Sequence, residues 1–184
     1  MKGCDDKVQL IRRIQASHRQ LERALFLFQR SPDGGLEAGS KTRYTSEEMT
    51  TPGVAGNWSM LDLLNHIYAN EQRFVQLCRS GPDSSGGSSL MVASMGGAHP
   101  TLTATAPAPS LEQVLARFHR SYREVLDAIQ SLPAEALFSA SPIHPASPRL
   151  LVDEAADSTY RCYDRARDQI RNWQQARLGR SRTI

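Results

Sequence analysis

The sequence predicts an all-α protein, a four-helix bundle with a long crossover loop between helices 2 and 3. Apolar residues recur at helical spacing in four long segments, and no segment shows the alternation of a strand. The chain has 184 residues, of which 40% are hydrophobic and 22% are charged, a balance typical of a globular protein with one core. We therefore expect residues 1–184 to form a single domain.

The first predicted helix spans residues 5–30, where the apolar stripe has one gap, occupied by His18. The segment 31–35 ends this helix, because proline cannot continue a helix and glycine accepts left-handed backbone angles. Thr45 and Glu48 follow with the spacing of a capping box. They predict one short helical turn before the second long helix.

The second long helix is predicted to begin at Ser59, whose hydroxyl can cap the helix while the Asp62 carboxylate favours its positive end. Its apolar stripe runs as far as residue 79. His66 and Asn70 lie on the edge of that stripe, so we expect both side chains to face the interior of the bundle or its rim.

Residues 80–110 form the predicted crossover, and 16 of these 31 residues are Gly, Ser or Pro. This composition gives the segment little reason to fold on its own. A connection of this length inside one domain indicates either a lid over a site or a disordered insert, and the sequence leaves both open.

The third long helix begins with a second capping box, Ser110 with Gln113, and ends at Pro133. Three prolines predict an extended loop at residues 141–148. The last helix is predicted over residues 150–178, with its arginines mostly outside the apolar stripe.

Composition and charge exclude several classes of protein. No run of about 18 apolar residues is present and charges interrupt the N-terminal residues, so we expect neither a membrane span nor a signal peptide. Cys4, Cys78 and Cys162 form no CxxC pair, which favours a reducing cytoplasm. The net charge is +3 even with the basic tail at 179–184, so no nucleic-acid partner is expected.

Two segments resemble a known family. Residues 49–67 (MTTPGVAGNWSMLDLLNHI) look like the pGv.g.Ws..DlL.H stretch of the DinB-like superfamily, and more closely that of its ClbS/DfsB branch. Residues 159–173 (TYRCYDRARDQIRNW) are similar to TY.HY.EH...IR.W of the same branch. The resemblance covers nearly the whole chain. It implies a bundle of DinB-like type that binds a small organic molecule between its helices.

The resemblance also implies a metal site with two of its positions changed. In metal-binding members, one histidine of the second helix and two of the last, spaced i and i+4, hold a divalent ion. Here the first position is His66, and the other two hold Cys162 and Ala166. Zinc or nickel could accept His66 and a Cys162 thiolate, but two protein ligands do not make a stable site. A third ligand would have to come from Asp62, Asn70, His119 or His144. We therefore expect no bound cofactor, with a divalent metal as the alternative.

The candidate catalytic residues are His66, Cys162 and Tyr163. His66 is either a ligand or a satisfied polar residue near the core. Cys162 is a nucleophile if His66 or the nearby arginines lower its pKa, and inert packing otherwise. Tyr163 and Trp173 either line a pocket or belong to the core.

These features leave two functions open. The first is a bundle with a degenerate metal site that binds, and hydrolyses or sequesters, a small electrophilic or toxic molecule; here hydrolase activity is implied by the resemblance alone. The second is a non-catalytic bundle that acts as a homodimer or through protein interaction. The second is supported by Ala166 at a ligand position and by the lack of a complete catalytic set in the sequence.

Overall fold

The computed structural model describes residues 2–30, 36–80, 109–138 and 150–180. Within these ranges the chain is predominantly helical. Its elements are α1 (Lys2–Leu25), β1 (Phe26–Arg30), β2 (Leu36–Thr42), α2 (Ser46–Thr50), α3 (Met60–Ser80), α4 (Leu111–Ser131), α5 (Ala134–Phe138), α6 (Leu151–Ser158) and α7 (Tyr160–Arg180). Most of the predicted crossover, the loop at 141–148 and the end of the basic tail lie outside the described residues. None of the described helices combines the length and apolarity that a membrane crossing requires.

Three predicted helix starts are confirmed by their capping hydrogen bonds. Thr45 and Glu48 form the capping box of α2. At α3, the backbone N–H of Ser59 donates to the Asp62 carboxylate at 2.8 Å, and the N–H of Asp62 donates to Ser59 Oγ at 3.2 Å. The capping box that begins with Ser110 forms at α4. These starts were predictable because each depends on residues three positions apart.

A β-hairpin replaces the end of the predicted first helix. The prediction of helix as far as residue 30 is wrong, because α1 ends at Leu25. β1 pairs antiparallel with β2, and Phe26 lies opposite Thr42. Arg43 fastens the hairpin to α1: its backbone N–H donates to the Leu25 carbonyl at 2.8 Å, and its Nε donates to the Phe26 carbonyl at 2.7 Å. A short apolar run fits both the period of a helix and that of a strand, and here its pairing with a later segment makes it a strand.

The last predicted helix is two helices, α6 and α7. The prediction of one continuous helix is wrong at Thr159, whose backbone angles, φ −124° and ψ −103°, are not helical. The Thr159 hydroxyl donates to the Ala155 carbonyl, so its side chain competes for a backbone acceptor at the end of α6. The break lets α6 pack on α3 and α5 while α7 packs on α1. Since α7 continues to Arg180, the first residues of the predicted tail belong to the helix.

The four long helices share one core among the described residues. α1 packs on α7 and α3 packs on α4, while α3 also contacts α6 and α7. Each fully buried large apolar side chain contributes about 1.5–3 kcal/mol. The largest of them are Phe26, Phe74, Phe118, Ile14, Leu21, Leu25, Met49, Met60, Leu64, Ile67 and Ile129. This packing brings polar positions of α3 to α7 and to α4.

Candidate functional site

Three predicted polar residues meet where α3 faces α7, and we call them the rim site: His66, Asn70 and Cys162. His66 and Asn70 lie one turn apart on α3, and Asn70 Nδ2 is 3.0 Å from His66 Nε2. The same Asn70 nitrogen is 3.7 Å from Cys162 Sγ. His66 and Asn70 are half-buried, and Cys162 is 7% exposed. The structure therefore joins the two candidate metal ligands through an amide.

The rim site is uncharged at neutral pH. Burial lowers the pKa of His66, and the nearby Arg165 guanidinium lowers it further. Burial raises the pKa of Cys162 to about 11, so its thiol stays protonated and is a poor nucleophile. The Asn70 amide nitrogen can only donate, so His66 Nε2 accepts and the neutral ring carries its proton on Nδ1. The Trp58 ring, 5.1 Å from the His66 ring, forms an aromatic wall beside the site.

The described residues do not fit the metal site that the resemblance implies. They contain no group of three His, Cys, Asp or Glu side chains arranged to hold a metal ion. Asp62 caps α3, and His119 lies beside Glu22, with His119 Nδ1 3.7 Å from a Glu22 carboxylate oxygen. His144 lies outside the described residues. Within the described part of the chain His66 and Cys162 remain two ligands, bridged by an amide N–H donor that a cation would repel.

A second polar group lies deeper, and we call it the interior cluster: Glu71 of α3, Ser121 of α4 and Tyr163 of α7. All three side chains are fully buried. The Ser121 and Tyr163 hydroxyls are each hydrogen-bonded to one oxygen of the Glu71 carboxyl. Burial raises the pKa of Glu71 to about 7, although the two hydroxyls oppose this shift. Tyr163 is thus a core residue, and burial together with Glu71 raises its own pKa well above the usual range.

His18 forms the next layer of the interior beside Tyr163. It is 2% exposed, and its ring stacks on Tyr122 at 3.6 Å and on Phe118 at 5.0 Å. The Tyr163 ring meets it edge-on at 5.4 Å. His18 Nδ1 is 3.5 Å from a Glu22 carboxylate oxygen, and Nε2 has no hydrogen-bond partner among the described residues. The predicted inward position of His18 is confirmed.

Sequence reasoning missed Glu71, although the sequence carries a signal for it. The apolar stripe of α3 runs from Ile67 to Phe74, and the position one turn after Ile67 is Glu71. In α4, Ser121 fills the corresponding gap between Phe118 and Val125. A polar side chain that is buried within a core stripe usually has at least one hydrogen-bond partner. Three gaps in three stripes, at residues 18, 71 and 121, could have indicated the polar interior.

Trp173 lies away from both groups. It lines an open surface groove of about 860 Å³ between α2 and α7. The Arg177 guanidinium lies over the Trp173 ring at 4.6 Å and pairs with Glu48 at 2.6 Å. The groove's aromatic face is therefore covered by the protein's own Arg177 guanidinium, whereas the polar groups of the rim site face each other.

Comparison with known families decides where the chain belongs. A family model of the DinB superfamily matches residues 42–156. The chain belongs to the DinB superfamily. The DinB match includes α2 to α5 and most of α6, and thus His66 and Glu71, but it ends before Cys162, Tyr163 and Ala166 on α7. No curated protein and no solved structure matched the chain.

Proposed function

We propose that this DinB superfamily protein is a cytoplasmic, ClbS/DfsB-like binder that sequesters small electrophilic organic molecules at the rim site. In this proposal α1, α3, α4 and α7 form the DinB-type four-helix bundle, and residues 80–110 cross from α3 to α4. The motif at 49–67 supports the ClbS/DfsB assignment, since it supplies the cap of α3 and then His66. The low net charge supports a small molecule, and not a nucleic acid, as the partner.

The observation that carries the proposal is the uncharged pair of an imidazole and a thiol, bridged by Asn70 at the edge between α3 and α7. Sites for small organic molecules are mostly apolar, with a few directed polar groups. The Trp58 ring supplies an apolar wall, and the Asn70 amide can donate to a carbonyl or ether oxygen in place of the Cys162 sulfur, a weak acceptor at 3.7 Å. An uncharged organic ligand is thus a better match than an ion.

Hydrolysis at this site would use His66 as the general base. Its imidazole is neutral at pH 7 because its pKa is lowered, so Nε2 can accept a proton from water once Asn70 moves away. Cys162 does not supply a thiolate, and Tyr163 lies in the interior cluster with its hydroxyl on Glu71. Binding and sequestration are therefore the proposed function, and hydrolysis is the alternative.

A thermal-shift screen with epoxides, strained lactones and enones tests the proposed binding. We expect wild-type protein to gain about 5 °C or more with a binder at about 100 times its Kd, because ligand binding stabilises the folded state. His66→Ala should lose this shift. Gln76→Ala, which changes an exposed residue of the same helix, is the matched control and should keep it.

Two results would contradict the proposal. One is a screen in which no electrophile shifts the wild-type midpoint. The other is a set of binders whose shifts are the same in His66→Ala as in wild type, which would place binding elsewhere. Product analysis by mass spectrometry separates hydrolysis from sequestration.

Metal addition is expected to leave the protein unchanged. Because the described residues supply two ligands, excess zinc, nickel or EDTA should move the unfolding midpoint by less than about 1 °C. A larger, saturable increase with zinc or nickel would contradict this prediction. Repeating the titration with His99→Ala and His144→Ala would then show whether a third ligand comes from outside the described residues.

The homodimer remains a prediction that no described surface favours. Among the described large hydrophobic residues, Val8 is the one that is exposed, at 41%. A single exposed side chain is ordinary for a monomer.

A further inference from the structure

Glu71 lies where three helices meet, and no basic side chain of the described residues is paired with it. α4 faces it with Ser121, Tyr122 and Glu124, and the Glu124 carboxylate adds repulsion. From α7 it is faced by Tyr163 and by the Cys162 thiol. α1 reaches this region through His18, whose ring meets the Tyr163 ring edge-on. The nearest cation along α3, Arg73, donates at 2.7 Å to Glu154 of α6.

The hydrogen bonds of the interior cluster can all form at once when the Glu71 carboxyl is protonated. Ser121 Oγ is bonded to Glu71 and also lies 3.2 Å from the Phe118 carbonyl, but a hydroxyl has one proton. When Glu71 is protonated, it can donate to Ser121 and Ser121 can donate to the Phe118 carbonyl. Tyr163 donates to the other Glu71 oxygen. Every polar atom then has a partner, and no charge is buried.

An ionised Glu71 fits the same surroundings poorly. Its charge would be held by two hydroxyls without a cation, and Ser121 would have to turn away from the Phe118 carbonyl. A buried charge without a counter-ion is costly, so the ionised carboxylate gains by reaching water. Since α3 packs much less extensively on α7 than on α4, the junction that can yield most easily is that of α3 with α7, which also holds the rim site.

The rim site and the interior cluster lie next to each other at the junction of α3 with α7. Asn70 contacts Cys162, and the next residue of α3, Glu71, contacts the next residue of α7, Tyr163. Moving α7 away from Glu71 therefore also separates Cys162 from Asn70.

We propose that Glu71 is a proton-operated clamp: its protonated form holds α3, α4 and α7 together, and its ionisation opens the junction between α3 and α7 at the rim site. This regulation extends the proposed function, since it controls access to the same site, but the clamp operates without a ligand. The pKa of about 7 for Glu71 places the opening near neutral pH.

Labelling of Cys162 by the thiol reagent DTNB tests the clamp. The other two cysteines are replaced in the full chain, by Cys4→Ser and Cys78→Ser, and the labelling rate is followed between about pH 5.5 and pH 8.5. Thiol ionisation itself speeds the reaction as pH rises, so each rate is divided by that of the same protein carrying Glu71→Gln. We expect this ratio to rise by about 10- to 30-fold over the range, because opening is linked to loss of the Glu71 proton.

Asp127→Asn is the matched control, since it removes an exposed carboxylate of α4. Its labelling should keep the pH dependence of wild type. A ratio of wild type to Glu71→Gln that stays constant with pH overturns the clamp. If Glu71→Gln does not fold, the wild-type rate is divided by that of glutathione instead, and a constant ratio again overturns it. Because none of the epoxides, lactones, enones or metals of the binding tests is added, failure of the proposed ligand binding does not affect the result.

Discussion

The free energy of unfolding should fall by about 3 kcal/mol between about pH 4.5 and pH 8 because of Glu71 alone, and Glu71→Gln should remove this fall. Burial raises the pKa of Glu71 from 4.5 to about 7 in the folded protein. Between these two values the folded state keeps a proton that the unfolded chain has lost. At such a pH, unfolding releases the Glu71 proton. The stability that the protonated carboxyl contributes is therefore complete below pH 4.5 and is lost above about pH 7.

Two histidines, His66 and His119, act in the opposite direction. Burial lowers the pKa of both His66 and His119, so the unfolded chain binds protons that the folded protein has lost. Their contribution to stability rises as pH increases through their unfolded pKa of about 6.5. The fall due to Glu71 is therefore measured as the difference between wild type and Glu71→Gln, in which the histidines cancel.

Urea denaturation at a series of pH values gives this difference directly. We expect wild type and Glu71→Gln to diverge steadily as pH rises to about 7, with the variant relatively more stable at high pH. Asp127→Asn, at an exposed position of α4, should follow the wild-type profile. Parallel profiles for wild type and Glu71→Gln would show that Glu71 is ionised in the folded protein and would contradict its raised pKa.

Local features of the fold could be predicted from the sequence. The starts of α2, α3 and α4 are encoded by pairs three residues apart, such as Ser59 with Asp62, and they form as expected. The core stripes were predictable for the same reason, since a helical period is a local property. His18 was recognised as an inward polar residue from its place in such a stripe.

Features that depend on partners distant in sequence could not be predicted in the same way. The hairpin requires β2 to pair with β1, and the break at Thr159 serves the separate packing of α6 and α7. Glu71 lies 50 residues from Ser121 and 92 from Tyr163, so its hydrogen bonds emerge only when three helices pack. At the rim site, the sequence indicated His66 and Cys162, but it could not show that Asn70 would bridge them.

Phe118→Ala should cost about 3–5 kcal/mol of unfolding free energy, because it leaves a cavity in the centre of the core. The Phe118 side chain is 0% exposed. Its ring stacks on His18 at 5.0 Å and meets His119 edge-on at 5.3 Å. Removing the ring therefore loses apolar burial, a contact within α4 and the stacking on His18 that joins α1 to α4.

Urea denaturation measures this cost, with Leu115→Ala as the control on the same helix. Leu115 is half-buried at the edge of the core, so its truncation should cost clearly less than that of Phe118. Phe118→Leu keeps most of the volume and should fall between the two. A cost below about 2 kcal/mol for Phe118→Ala would mean that the helices close over the cavity.

The double variant with Glu71→Gln shows whether Phe118 and the interior cluster act as one unit. Ser121 contacts both the Phe118 carbonyl and the Glu71 carboxyl, so a cavity that shifts α4 should also disturb the carboxyl. We expect the two changes to be non-additive by about 0.5–3 kcal/mol, whereas distant independent sites add.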